Sequence, residues 1–163
     1  MAPGYVNGLQ LVWVGRRAPE PFEALAQEYG GRLARYLPFT AIRVRPASCR
    51  GSNPRKALVE EAAAIRRHIA PTDAVVALDE GGRERTTAEL ATWLEERQHR
   101  GRTVFVIGSD LGLDPMFKAS AQERLALSRL TLPHALARVV LLEQLYRASD
   151  LLAGGQYHRP ASG

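Results

Sequence analysis

The sequence predicts an α/β domain with a mainly parallel sheet. Three observations carry that expectation. Short, continuous apolar runs read as buried strands. They alternate with longer stretches whose apolar residues recur at three- and four-residue steps, the signature of amphipathic helices. Proline, glycine or a capping residue punctuates most of the junctions.

The elements follow in order. Leu9 to Val14 is a buried first strand ending at Gly15. Pro19 and Pro21 open a helix whose apolar face runs from Phe22 through Leu25, Ala26, Tyr29, Leu33 and Tyr36 to Leu37, and Pro38 stops it. Phe39 to Val44 alternates apolar and polar residues and reads as a second strand. A polar loop, 46–54, contains Gly51, Ser52 and two prolines. Asn53-Pro54 caps a second helix marked by Leu58, Ala62, Ile65 and Ile69 and ended by Pro71.

Ala74 to Leu78 is the third strand, followed by Asp79-Glu80-Gly81-Gly82. Thr86-Thr87-Ala88-Glu89 has the capping-box pattern and starts a helix carrying Leu90, Trp93 and Leu94 that stops near Gly101. Thr103 to Ile107 is the fourth strand, broken at Gly108. A short helix covers Pro115 to Gln122, and Leu125 to Ser128 is the fifth strand. Pro133 opens a last helix that runs to about Ala153 and stops at Gly154-Gly155. It is apolar almost all round, so it is buried on more than one side, in a core or against a second subunit. The chain, 1–163, is expected to form one domain, with residues 1–8 and 160–163 flexible.

Composition excludes several classes. With 45% hydrophobic and 24% charged residues among 163, the chain is neither disordered nor collagen-like. No run reaches the roughly 18 apolar residues of a membrane span, and the N-terminus shows no signal peptide. One cysteine, Cys49, rules out an internal disulfide, and with four scattered histidines it makes no Cys-rich zinc site. A cytoplasmic protein without a metal is the expectation.

The net charge of +5 is uneven. Residues 1–56 hold nine basic and three acidic side chains, a local excess of six, while 57–100 hold six basic and nine acidic. All but Lys56 and Lys118 of the basic residues are arginine, whose planar fork suits phosphate. A basic N-terminal third suggests an anionic partner, nucleic acid most simply, or an arbitrarily charged solvated surface.

Motifs narrow the chemistry mostly by exclusion. Gly15-Arg16-Arg17-Ala18 after the first strand is not a dinucleotide fingerprint, and no Walker loop is present. Gly108-Ser109-Asp110-Leu111-Gly112 is not a nucleophile elbow, since its central residue is Asp110. Spacing gives no support to a triad of Ser128, His134 and Asp110. The glycines of 108–112 suit either close approach of backbone to a ligand or a tight turn, the turn being favoured on this segment alone. Loops after strands three to five are the expected site, at the carboxyl ends of the strands. In the last helix Arg138, Glu143, Gln144, Arg147 and Asp150 must find partners. Gln156-Tyr157-His158-Arg159 is either a frayed end or a group of side chains suited to bases and phosphates.

These segments carry a resemblance. Leu78-Asp79, Val106-Ile107-Gly108, the run Leu127-Ser128-Arg129-Leu130-Thr131-Leu132-Pro133-His134 with Arg138, Glu143-Gln144 and Tyr146-Arg147-Ala148, and the terminal Tyr157-His158-Arg159 resemble the RlmH family. These are bacterial large-subunit rRNA pseudouridine N3-methyltransferases of the SPOUT superfamily. The resemblance covers residues 9–159 and is strongest from Thr103 onward. It implies a single-domain fold with a trefoil knot, a homodimer, and S-adenosylmethionine as methyl donor. It implies a pseudouridine of 23S rRNA in the assembled ribosome as substrate. By position, Leu78, Gly108, Leu127, Ser128, Arg129, Leu130, Thr131 and Leu132 would contact the cofactor. His134, Arg147, Tyr157, His158 and Arg159 would match active-site positions.

The family usually reads Ile-Gly-Gly after the fourth strand, where this chain has Ile107-Gly108-Ser109, followed by Asp110. If Ser109 needs a positive φ, it is strained by roughly 1–2 kcal/mol. Asp110 would face a positive sulfonium or repel RNA phosphate. For the chemistry, His134 or His158 would accept the N3 proton, His158 being favoured, with Arg138, Arg147 and Arg159 as clamps for an oxygen or a phosphate. The alternatives are a non-catalytic ribosome-binding protein of the same fold, and a SPOUT methyltransferase with another RNA target.

Overall fold

The computed structural model describes residues 7–48 and 53–159. Residues 1–6, 49–52 and 160–163 lie outside it. Ten elements follow one another: β1 (Leu9–Val14), α1 (Glu20–Leu33), β2 (Phe39–Val44), α2 (Pro54–Arg66), β3 (Ala74–Glu84), α3 (Thr87–Arg97), β4 (Thr103–Ile107), α4 (Pro115–Ser120), β5 (Glu123–Ala126) and α5 (His134–Leu152). The strands form one sheet in the order β2-β1-β4-β3-β5, and all four neighbouring pairs are parallel.

Alternation along each strand divides the core into two layers. Leu9, Leu11, Trp13, Val76, Phe105 and Ile107 face one side, where they meet α1, α3 and α5. Val12, Val14, Val75, Ala77, Val104 and Val106 face the other and meet Ala62 and Ile65 of α2 and Phe117 of α4. Burial on both faces is why the strands read as continuous apolar runs.

The helix starts obey their capping residues. Asn53 accepts the Arg55 N–H at 2.9 Å. Thr86 and Glu89 form a complete capping box. Gly154, at φ +76°, ends α5 as its position demanded. Gly8, expected in a flexible end, is packed against Pro38 and passes its carbonyl to Thr103.

Several boundaries differ from expectation. The first helix stops at Leu33, and a turn carries Tyr36 and Leu37 to β2. The second stops at Arg66, well before Pro71. The third strand does not end at Leu78 but runs to Glu84 across a register shift between Leu78 and Arg83. Gly82 permits this, since a Cβ there would lie 2.7 Å from the Arg124 carbonyl of β5. The fifth strand lies two residues earlier than expected, at Glu123–Ala126, because Glu123 and Arg124 pair with Val76 and Ala77 of β3. Residues Leu127 and Ser128 are thereby released into a loop.

Helix α5 packs against both α1 and α3 and touches β4 beneath. That accounts for most of its apolar circumference. Leu136 and Val140, one turn apart, stay half-buried.

Candidate active site

The carboxyl ends of β3, β4 and β5 enclose a cleft of about 590 Å³. Leu78, Ile107, Leu113, Leu127, Leu130 and Leu132 make its apolar walls. Gly108 to Gly112 and Ser128 to Pro133 supply backbone at the rims. Of the residues expected at a cofactor, Leu78, Gly108, Leu127, Ser128, Leu130, Thr131 and Leu132 all line it. Arg129 belongs to the same loop but points outward, exposed, to Glu84 at 3.3 Å.

Each wall is fixed by a polar contact. The Thr131 hydroxyl donates to Glu80 at 2.6 Å, tying the loop after β5 to β3. The Ser128 hydroxyl accepts the Leu130 N–H at 3.0 Å. Asp79 lies between Lys118 at 3.7 Å and Arg124 at 3.5 Å. Residues 109–112 form a turn closed by Gly112 N–H to the Ser109 carbonyl, 2.8 Å. Gly112 takes the left-handed conformation at φ +83°; Ser109 does not, so it carries no such strain. Gly108 is required for an internal reason: a side chain there would strike the Gly112 carbonyl. The tight turn by itself accounts for glycine at position 108.

Where the cleft opens, the Nδ1 of His134 lies 2.7 Å from Asp110 Oδ1. A carboxylate against Nδ1 selects the tautomer with the proton there and leaves Nε2 as an acceptor. Asp110 thus spends its charge on an imidazole. Ser109 is anchored as well, donating its hydroxyl to Glu61 of α2 at 2.9 Å, while the other Glu61 oxygen accepts the Ala47 N–H at 3.1 Å.

The remaining candidates gather elsewhere. Arg147 pairs with Glu143 one turn earlier on α5 and stacks over the Tyr157 ring at 4.5 Å. Tyr157 donates its hydroxyl to Glu143 at 3.1 Å, and its ring lies 4.6 Å from that of Tyr146. Burial, a hydrogen bond with Tyr29 and the nearby Glu143 charge push Tyr157 up to about 12, so its hydroxyl stays protonated at neutral pH. Asp150 accepts the Tyr157 N–H at 2.9 Å and the Tyr36 hydroxyl at 2.7 Å. His158 is half-buried, with Nδ1 unpartnered among the described residues, and Arg159 is exposed.

The tail therefore turns back along α5 and not into the cleft. From His134 to Glu143 the helix spans about 13 Å at 1.5 Å per residue. Within one chain, His134 and the group of Arg147, Tyr157, His158 and Arg159 are separate. Arg138 is corrected outright as a clamp. It is buried, donates to Glu23 at 2.7 Å and stacks over Trp13 at 4.2 Å, which makes it a structural side chain.

Sequence reasoning missed Glu61 and Glu80. Glu61 carried a signal, because it stands four residues from both Ala57 and Ile65 on the buried stripe of α2. Among the described residues no group of three or more His, Cys, Asp or Glu is placed to hold a metal, and no helix is long and apolar enough to cross a membrane.

The family model described as "Predicted SPOUT methyltransferase" matches residues 8–158. The chain belongs to this family of methyltransferases. Its relatives include the ribosomal RNA large subunit methyltransferase H of Gloeobacter violaceus, 43% identical over 92% of this chain and 97% of the relative. The protein of the same name from Thiobacillus denitrificans is 44% identical over 93% of this chain and 98% of its own. A solved structure called "Probable Methyltransferase" from Bordetella pertussis Tohama I shares the fold, with a TM-score of 0.54 at 12% identity over 88% of this chain and 95% of that one.

Proposed function

We propose that this chain methylates N3 of a pseudouridine in 23S rRNA, working as a homodimer on the assembled ribosome with S-adenosylmethionine as donor. The observation that carries the reading is the cleft after β3, β4 and β5 opening onto a carboxylate-held histidine. The extent of similarity to two proteins named ribosomal RNA large subunit methyltransferase H supports rRNA as the substrate.

The residues present fit the donor. Leucine side chains make a slot for a flat purine, exposed backbone groups can read its edge, and Glu80 offers negative charge to an amino group. Leu78, Gly108, Leu127, Ser128, Leu130, Thr131 and Leu132 would hold it, and Arg129 serves the loop from outside. The donor supplies an activated methyl group on a positive sulfur.

The chain's own task is to place the base and remove its proton. N3 of pseudouridine is too weak an acid to be ionised at neutral pH. His134, with Nδ1 engaged by Asp110, takes that proton on Nε2, and the N3 electron pair is freed for bond formation. Alignment supplies much of the remaining rate.

A second copy completes the site. Tyr157, His158 and Arg159 lie too far from His134 in one chain to share a nucleotide with it. Pairing through the half-buried stripe of Leu136 and Val140 brings the partner's tail toward the cleft. Localisation in the cytoplasm follows from a ribosomal substrate.

The test is a methylation assay with purified protein, S-adenosylmethionine and ribosomes, followed by mapping of the modified nucleotide. Methylation at pseudouridine N3 is expected. Cofactor binding without methylation points to a non-catalytic ribosome-binding protein, and methylation elsewhere to another RNA target.

A further inference from the structure

At the carboxyl ends of β1 and β2 a second cleft opens, about 780 Å³ in volume. Four guanidinium groups line it: Arg16 and Arg17 just after β1, Arg43 in β2, and Arg45 just beyond it. We propose that this cleft binds the phosphates of the RNA strand flanking the target nucleotide and so sets which base reaches the methyl-transfer cleft. The inference rests on the rRNA reading above and assigns it a surface.

The sheet brings these arginines together. β1 and β2 are parallel and in register, Trp13 opposite Arg43 and Val14 opposite Val44, so the segments leaving both strands emerge side by side. Arg43 and Arg45 are two residues apart in extended chain and project to the same side. Arg43 donates to the Gly15 carbonyl at 3.3 Å, which orients its fork.

Charge then decides the ligand. All four side chains are exposed, and among the described residues none has an ion-pair partner. Elsewhere Arg85, Arg102, Arg138 and Arg147 each rest on a carboxylate. Two carboxylates also line the cleft, Glu61 bonded to Ala47 and Ser109 and Asp110 to His134, so four positive charges face two negative ones. The cleft keeps an excess of two exposed positive charges, and a polyanion relieves the repulsion among its guanidinium groups. Guanidinium matches phosphate through paired donors. A small anion would engage one or two of the four forks, whereas a nucleotide strand engages them all.

Position supplies the rest. The two clefts share Ser109, Asp110, Leu111 and His134. A strand lying across the arginines leads directly to the imidazole.

The test is binding of the full chain to large ribosomal subunits over a salt series, without cofactor. Arg16→Ala/Arg43→Ala is compared with Arg67→Ala/Arg100→Ala. The second pair removes the same charge from exposed sites that precede β3 and β4, at the opposite end of the sheet. At a loss of about 0.7–0.9 in the slope of log K against log salt per phosphate contact, the first pair should flatten the slope by roughly 1.4–1.8. Its affinity should fall at least tenfold near physiological salt, with the control within about twofold of wild type. Circular dichroism and calorimetric S-adenosylmethionine binding should match wild type in both. Equal slopes for the two double variants would overturn the proposal. If the wild type fails to methylate ribosomal RNA, the rRNA reading falls instead. The same salt series on a short single-stranded RNA then still decides the cleft, by whether Arg16→Ala/Arg43→Ala flattens the slope.

Discussion

Asp110 and His134, 24 residues apart in the chain, meet at 2.7 Å where the turn after β4 reaches the first residue of α5. The pair joins the two halves of the cleft and fixes which imidazole nitrogen is free. Asp110→Asn should therefore cut turnover by about tenfold or more, short of the roughly 100-fold expected for losing a general base outright. Cofactor affinity should hold within about threefold, since Asp110 tightens no apolar wall. Nitrogen NMR of His134 should show the Nδ1-protonated tautomer in the wild type and a mixture in the variant. An unchanged tautomer with full activity would remove Asp110 from its positioning role.

The hydrogen bonds and charge of Arg138 hold the Glu23 carboxyl below its ordinary range, with burial opposing more weakly. A carboxyl depressed in the folded state stabilises the fold above the unfolded value of about 4.3 and loses that contribution as pH falls through the lower folded value. Arg138→Met should cost about 1–3 kcal/mol at pH 7, because it removes the charged donor that Glu23 accepts from. Glu23→Gln should flatten the acid limb of the stability curve. Urea unfolding at pH 7 and pH 3 separates the two.

Gly108→Val should disable the cofactor cleft by deforming the turn itself, through the collision with Gly112. Overpacking of this kind costs about 1–3 kcal/mol, enough to lower cofactor affinity by tenfold or more if the turn gives way. Gly31→Ala, with nothing within 4 Å of the new Cβ, is the control. Calorimetry on the two variants is the measurement, and full affinity in Gly108→Val would contradict the geometry.

Truncation after Gly155 should lower methyl transfer by about 100-fold through misplacement of the nucleotide, while sparing cofactor binding. If the chain pairs as proposed, truncated chains mixed with Gly108→Val chains should recover about a quarter of the wild-type rate, since half the dimers would be mixed and each would have one complete site. Mixing without recovery would confine the tail to its own chain.

Much of the fold was legible because its signals were local. The run Thr103–Ile107, the Asn53 cap and the Thr86–Glu89 box each act within a few residues, and each stands where it was read. The extension of β3 was not legible. Gly81-Gly82 looks like a turn, and only the passing backbone of β5 shows that Gly82 admits a neighbour. That the loop 127–132 lines the cleft was legible through the resemblance, apart from the direction of Arg129. The Asp110–His134 contact and the stacking of Arg138 on Trp13 were not, because pairings across 24 residues or more depend on how helices land on the sheet.

Glu61 gives the molecule a shared hinge pin. One buried carboxylate holds the segment after β2 through Ala47 and the turn after β4 through Ser109. Neither can swing away without leaving a buried oxygen bare, at about 1–3 kcal/mol. The arginine-lined wall and the cofactor turn therefore move as one body. If the first seats an RNA strand and the second the methyl donor, as proposed, filling either should tighten the hold on the other by the same factor.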